Sequence, residues 1–137
     1  MSRVSTFRSG TRRLAALIAF GALGACGGAD SLGPFQPQVG NPADNFQLQA
    51  TNVVNVTTTA TYPWVNSGTR ATINHSTTTT AGSTLLVIKD GTGATVYSKA
   101  LSPSLNEPTT AGQAGTWSIQ LSLTNYSGTL NFRAQKL

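Results

Sequence analysis

The sequence predicts an all-β fold, built as a single antiparallel β-sandwich of about seven strands. Apolar and polar residues alternate with a period of two over most of residues 44–137. Segments rich in glycine, asparagine and aspartate separate the alternating runs, and no helical period interrupts them. These features together favour an antiparallel sheet with short turns over a parallel sheet with helices.

Four segments carry the strand prediction. Residues 117–124 alternate strictly, which places one face in a core and the other in water. Residues 46–50 and 130–134 repeat this pattern at the two ends of the domain, and we expect them to be neighbouring strands. Residues 85–88 form a continuous apolar run, which is typical of a central strand covered on both faces.

Three turns are expected between these strands. Residues 90–93 (Asp-Gly-Thr-Gly) and residues 125–128 (Asn-Tyr-Ser-Gly) are predicted to close hairpins, because glycine and asparagine adopt the backbone conformations that tight turns require. Residues 66–68 are predicted to form a third turn of this kind.

The N-terminal residues 1–25 have the parts of a cleaved secretory signal. A basic flank precedes a short apolar stretch at residues 14–22. A transmembrane helix needs about 20 apolar residues, so this stretch is too short to remain as a membrane span. The flank contains Arg3, Arg8, Arg12 and Arg13.

The end of this leader, Leu23-Gly24-Ala25-Cys26, resembles the lipobox of bacterial lipoproteins. The resemblance implies that Cys26 receives lipid chains such as palmitate and becomes the first residue of the mature protein. It also implies a membrane partner at Cys26 and a location in the bacterial cell envelope, on the periplasmic or the surface face of the outer membrane. Cys26 is the only cysteine, so the chain forms no internal disulfide.

Residues 26–43 are rich in glycine and proline and are predicted to be a flexible linker. At about 3.3 Å per residue, residues 27–43 reach at most roughly 55 Å, so we expect the domain to stand clear of the bilayer. In the alternative, Phe35 and Val39 pack on the domain as an ordered arm.

The second half of the domain also resembles known accessory modules. Residues 85–135 are similar to the closing strands of pre-peptidase C-terminal domains and of other jelly-roll or immunoglobulin-like sandwiches. The shared elements are an L-x-x-x-D-x-x-G hairpin, a G-T-W-x-I-x-L strand and a final S-G-x-x-N-F strand. The resemblance implies a binding or structural unit without catalytic chemistry.

Charge and residue content limit the possible functions. The net charge of +5 falls to +1 once the four leader arginines are removed, and the remaining basic residues are scattered. A nucleic-acid partner is therefore not expected. His75 is the only histidine, and we expect it to be exposed at a strand end. Asp44, Asp90 and Glu107 lie in separate predicted loops or turns, so we expect no catalytic residues, no metal and no cofactor.

Three aromatic residues are the candidate ligand-binding residues. Pro63 marks an edge or bulge at which Tyr62 and Trp64 could be presented to a sugar ring. In the alternative, Tyr62 and Trp64 continue the core-facing side of their strand. Tyr126 lies in a predicted turn and is expected to be exposed, whereas Trp117 is expected to lie in the core.

The sequence therefore predicts a lipid-anchored, non-enzymatic β-sandwich of the bacterial envelope that binds a protein or glycan partner or serves in surface structure. Two alternatives remain open. One is a small hydrolase, or a hydrolase accessory subunit, that acts on envelope polymers. The other is a surface protein that assembles into fibres through an exposed strand edge.

Overall fold

The computed structural model describes residues 32–137 and is almost entirely β. All of its strands belong to one antiparallel sheet of seven strands, which confirms the predicted fold class. A short 3-10 turn at Gly33–Phe35 comes first. The strands are β1 (Gln38–Gly40), β2 (Asn45–Asn66), β3 (Ala71–His75), β4 (Thr78–Lys89), β5 (Thr95–Lys99), β6 (Leu105–Pro108) and β7 (Gly115–Lys136).

Two long strands, β2 and β7, form the centre of the sheet. Each contains 22 residues, and they pair from Asn45 opposite Gln135 to Asn66 opposite Gly115. The other side of β7 pairs with β3 and then with β4, which follow each other along it. The outer strands are β1 against β2, β6 against β3, and β5 against β4.

The long strands bend in the middle, so that the sheet folds over on itself like a sandwich. The β2–β7 register shifts three times between Ala50 and Thr58. Asn52 and Asn55 have φ of 54° and 50° there, and Asn125 on β7 has φ of 47°, all in the left-handed region that asparagine tolerates better than most residues. The two ends of β2 consequently meet, and Asp44 N donates to Val65 O over 2.8 Å.

The core lies between the two halves of the bent sheet. Trp64 and Trp117, which face each other in the β2–β7 register, pack edge to face with ring centroids 5.7 Å apart. Phe46 and Phe132, from the other half, lie with centroids 5.7 Å apart. All four rings are buried, so the alternating residues predicted to face inward do so.

Several strand and turn predictions are confirmed. Residues 46–50 and 130–134 are neighbours, with Leu48 opposite Phe132. The turn at residues 90–93 closes the β4–β5 hairpin. Residues 85–88 lie in β4, which is central between β5 and β7. Only one face of that segment is buried, however, because Leu85 is 43% exposed.

Two of the predicted hairpin turns are wrong. Residues 125–128 do not end a strand but form the bend within β7. Residues 66–68 carry the chain from β2 to β3, and these two strands pair with opposite sides of β7 instead of with each other. In both segments the asparagine and glycine change the direction of the chain. The strand segments before and after the turn then pair with other strands and not with each other.

The predicted linker is ordered in the part that the structure describes. Leu32 is fully buried in the core, Phe35 packs against that core, and β1 pairs with β2. The prediction of a flexible linker up to residue 43 is therefore wrong for residues 32–40, because these apolar side chains find a place on the domain. The predicted signal peptide and Cys26 lie outside the described residues.

Candidate functional site

The unpaired edges of the sheet are the first candidate sites, since exposed backbone groups can recognise another strand. Most of these edges are short or blocked. β1 spans three residues between Pro37 and Pro42, and β6 spans four and ends in Pro108. On β5, Thr110 donates both its backbone N–H and its hydroxyl to the carbonyl of Val96.

β4 is also unpaired on one side near its start, between residues 78 and 83. Its register with β7 shifts twice in that segment, between Thr79 and Ala81 and between Ala81 and Ser83. Such bulges twist a strand and interrupt the regular spacing that a new strand would need.

One segment of β2 is regular and open, and we call residues 58–61 the open edge. The register with β7 runs without a shift from Thr58 to Asn66. At Pro63 and Val65 the carbonyl oxygens point away from β7, because they accept hydrogen bonds from Asn41 Nδ2 and Asp44 N. The backbone N–H and C=O groups of successive residues point to alternate sides of a strand. Those of Thr59 and Thr61 therefore also point away from β7. Within residues 32–137, no strand pairs with them there.

The open edge is uncharged. No Asp, Glu, Lys or Arg lies between Asp44 and Arg70. Native sheets commonly protect an edge with a charged side chain, a proline or a bulge. Here the bulges lie before Thr58 and the proline lies at residue 63, so the segment between them lacks all three. Thr59 and Thr61 are exposed, and their β-branched side chains suit an extended backbone.

The three aromatic candidates do not form an exposed platform. Trp64 is 1% exposed and Tyr126 is fully buried, so the expected exposure of Tyr126 is wrong. Tyr62 is half-buried, and its ring lies 5.5 Å from that of Phe46. Tyr62 and Trp64 thus follow the alternative reading, in which they continue the core-facing side of β2. These residues therefore do not support the proposal of a surface on which sugar rings stack.

Tyr126 is buried because the bend in β7 turns it inward. Its hydroxyl donates a hydrogen bond to the carbonyl of Thr78 over 3.0 Å, which satisfies the polar end of the side chain. Burial raises the pKa of the Tyr126 hydroxyl. The residue therefore joins β7 to the start of β4 inside the bend.

His75 is also buried, contrary to the expected exposure. It is 2% exposed, and it lies in β3 between Leu105 of β6 and Phe132 of β7. Burial lowers the pKa of His75, while the backbone of Leu101 and the carboxylate of Glu107 act in the opposite direction. Neither ring nitrogen of His75 is hydrogen-bonded to a carboxylate. His75 therefore lacks the acidic partner that orients a histidine as a catalytic base.

Glu107 lines a groove of about 240 Å³ between β5 and β6. It accepts a hydrogen bond from the hydroxyl of Tyr97 over 3.1 Å and an ion pair from Lys99 over 2.6 Å. These contacts, with that of Lys99 the largest, lower the pKa of Glu107, whereas burial raises the pKa of Tyr97. The charges of Lys99 and Glu107 neutralise each other, so the groove has no net preference for an anion or a cation.

The other two described carboxylates hold loops together. Asp44 accepts from the backbone N–H of Ser67 over 2.7 Å and from Lys136 over 3.0 Å, and these bonds lower its pKa. Asp90 accepts from the hydroxyl and backbone of Thr92 and from the backbone of Gln113, which lowers its pKa to about 2. Each carboxylate thus has its own partners, and no two form a pair.

Within the described part of the chain, no three His, Cys, Asp or Glu side chains are grouped so that they could hold a metal ion. None of the helical structure at residues 32–137 is long and apolar enough to cross a membrane. Comparison of the chain with protein-family models, curated proteins and solved structures gave no match. The open edge of β2 is therefore the candidate site that the geometry supports best.

Strand-edge assembly is one of the alternatives that the sequence leaves open, but the sequence pattern alone assigns no residues to it. The relevant signal was visible as the long uncharged stretch between Asp44 and Arg70, with threonines at residues 57–59. Which strand forms an edge depends on the order of strands in the sheet, and that order is not written in any one segment.

Proposed function

We propose that this chain is a lipid-anchored, non-enzymatic module of the bacterial cell envelope that binds a protein partner through the open edge of β2. The observation that supports protein binding is the regular, uncharged and unpaired backbone at Thr59 and Thr61. An extended segment that adds to such an edge gains backbone hydrogen bonds, and the neighbouring side chains then provide specificity.

A protein is a better fit to this edge than a glycan. Alternating N–H and C=O groups at strand spacing match another strand, whereas sugar rings are usually held by exposed aromatic faces. The aromatic side chains considered for that purpose, Trp64 and Tyr126, are buried.

The lipid anchor is supported by the lipobox that ends at Cys26. Leu32 is fully buried, so only six residue steps separate Cys26 from the folded domain. At about 3.3–3.6 Å per residue these steps span at most roughly 20 Å. An anchored domain would therefore be held close to the bilayer, and not at the greater distance that a linker up to residue 43 would allow.

The anchor is tested by comparing the wild-type chain with Cys26→Ser, both expressed with their own leader in a bacterium. We expect the wild type to sediment with membranes and the variant to be found in the soluble fraction. Protease treatment of intact and lysed cells then shows which face carries the domain. Equal membrane binding of the two proteins would refute lipid anchoring at Cys26.

Binding at the open edge is tested by placing a photo-crosslinking amino acid at residue 61 in the wild-type background. We expect a covalent adduct with a protein on irradiation of cells. The same amino acid at residue 98 is the matched control, because Ser98 is also exposed but lies on the blocked edge of β5. Adducts at both positions, or at neither, would argue against the open edge as the binding site.

A further inference from the structure

The geometry of the open edge also indicates which protein binds there, and this inference rests on the proposed binding at that edge. We infer that the partner is a second copy of the same chain, which pairs antiparallel with the first about a two-fold axis at Ala60. The result is a closed dimer in which two bent sheets join through their β2 strands.

The open edge is complementary to itself. In an antiparallel pair, two residues whose backbone groups face each other exchange two hydrogen bonds. Thr59 of one copy would face Thr61 of the other, and Thr61 would face Thr59 of the other copy. This arrangement forms four backbone hydrogen bonds and places the two Ala60 residues opposite each other.

Only this register uses the whole of the open edge. Pro63 has no N–H to offer, and its carbonyl already accepts a hydrogen bond from Asn41. At the other end, the register shift between Val56 and Thr58 interrupts the regular backbone. A pairing centred on Ala60 uses all the outward backbone groups that lie between these two limits.

Charge repulsion does not oppose this pairing. A strand that pairs with its own copy brings identical residues close together, and like charges would oppose this. No charged residue lies between Asp44 and Arg70, so this cost does not arise. Thr59 and Thr61 would instead form cross-strand threonine pairs, which are favourable on an exposed sheet face.

The remaining edges determine the size of the assembly. β1 and β6 are short and bordered by prolines, β5 is bonded to Thr110, and the open side of β4 is bulged. When two identical edges pair about a two-fold axis, each occupies the free backbone groups of the other, and no open edge is left at that interface. The chain therefore forms a dimer, and residues 32–137 offer no second long, regular edge that could extend it into a fibre.

Four backbone hydrogen bonds are a small interface for two freely diffusing proteins. Two copies anchored in one membrane, each by a tether of at most about 20 Å, meet at a much higher effective concentration. We therefore expect the dimer on membranes or at high protein concentration and not in dilute solution.

The test is disulfide trapping with Ala60→Cys in the full chain, expressed with its leader and isolated in membranes. Residues directly opposite each other at a non-hydrogen-bonded position have Cα atoms about 4.5 Å apart, which a disulfide can bridge. We expect a disulfide-linked dimer after mild oxidation with copper phenanthroline. The control is Ser98→Cys, which presents a thiol on the blocked edge of β5.

A second variant adds Thr59→Lys and Thr61→Lys to Ala60→Cys. Both threonines are exposed, so we expect the fold and the thermal midpoint to be kept. In the inferred register each lysine would face a lysine of the other copy, and crosslinking should fall to the level of Ser98→Cys. A folded Ala60→Cys protein that crosslinks no more than Ser98→Cys, or that is unaffected by the lysines, would overturn the inference.

The Ala60→Cys, Cys26→Ser double variant separates the two proposals. If this soluble protein crosslinks at high concentration, the paired edge stands whether or not the anchor does. A membrane-bound protein that gives adducts at residue 61 with a different protein, and no Ala60→Cys dimer, would keep the proposed function and refute self-pairing. Species larger than a dimer in sedimentation of detergent-solubilised wild type would refute closure at two copies.

Discussion

Tyr126 gives the most direct test of the bent sheet, because the sequence predicts an exposed turn residue and the structure buries it. The ring is fully buried in the core, and the hydroxyl donates to the carbonyl of Thr78 over 3.0 Å. Two substitutions separate these contributions. Tyr126→Phe removes the hydrogen bond alone, and Tyr126→Ala removes the ring as well.

The expected losses follow from burial. Truncation of a buried aromatic ring to alanine costs about 3–5 kcal/mol, because the apolar contacts are lost and a cavity remains. A lost intramolecular hydrogen bond costs about 1 kcal/mol. In a domain of this size, each kcal/mol lowers the thermal midpoint by roughly 4–8 °C. We therefore expect a decrease of about 4–8 °C for Tyr126→Phe and of at least about 12 °C for Tyr126→Ala.

The measurement is thermal unfolding followed by circular dichroism, in the chain that starts at residue 26 and carries Cys26→Ser. Val54→Ala is the matched control. Val54 also lies in the bend but is 64% exposed, so the midpoint should change by less than about 3 °C. If Tyr126→Ala behaves like Val54→Ala, the ring is at the surface and the bend in β7 is not as described.

Two further predictions concern Asp90 and Gly128. Asp90 has a folded-state pKa of about 2, below its ordinary value of 3.8, so it stabilises the fold above pH 4 and this contribution is lost as the pH falls toward 2. In urea unfolding measured from pH 5 to pH 2, Asp90→Asn should therefore show a smaller decrease in stability than the wild type. Gly128→Ala should destabilise the fold by roughly 2 kcal/mol or more, because φ is +147° and the added Cβ would clash with the carbonyl of Thr78.

Controls are available for both. Parallel decreases with pH in the wild type and in Asp90→Asn would mean that the hydrogen bonds to this carboxylate do not matter for stability. For the glycine, Gly93→Ala is the comparison, since φ is +90° there but no atom lies within 4 Å of an added Cβ. An equal loss in the two alanine variants would contradict the clash at Gly128.

The alternation of apolar and polar residues was sufficient to predict the fold class and one distant pairing. Residues 46–50 and 130–134 carry matching inward-facing side chains, and they do pair. This works because a buried face requires the same period in every strand that contributes to it. Local chemistry at residues 90–93 also identified a hairpin correctly, because both of its strands are adjacent in sequence.

The bend at residues 125–128 could not be distinguished from a hairpin by sequence. Asparagine and glycine supply left-handed backbone conformations in both cases. The outcome depends on β2 and β4, which continue along both sides of β7 through the bend. The same limit applies to Tyr126 and His75, whose burial depends on which neighbouring strands cover them.

The candidate site was predictable only as a general possibility. The absence of charge near Thr59 and Thr61 is a property of the sequence, but the sequence does not tell whether another strand covers their backbone. The ordered arm at residues 32–40 shows the converse, because a segment rich in glycine and proline was fixed by Leu32 and Phe35. Two apolar side chains outweighed the composition of the segment as a whole.

The central position of β7 affects the order in which the chain can fold. Asn45 pairs with Gln135, so the first residue of β2 must wait for a partner at the far end of the sequence. β3 and β4 depend on the same strand, and a chain that lacks β7 has only the short pairings of β1, β5 and β6. The main pairings of the sheet therefore cannot form before β7 is available, and sheets with such distant pairings form slowly. Until β7 is available, the long uncharged β2 segment is left without its main partner.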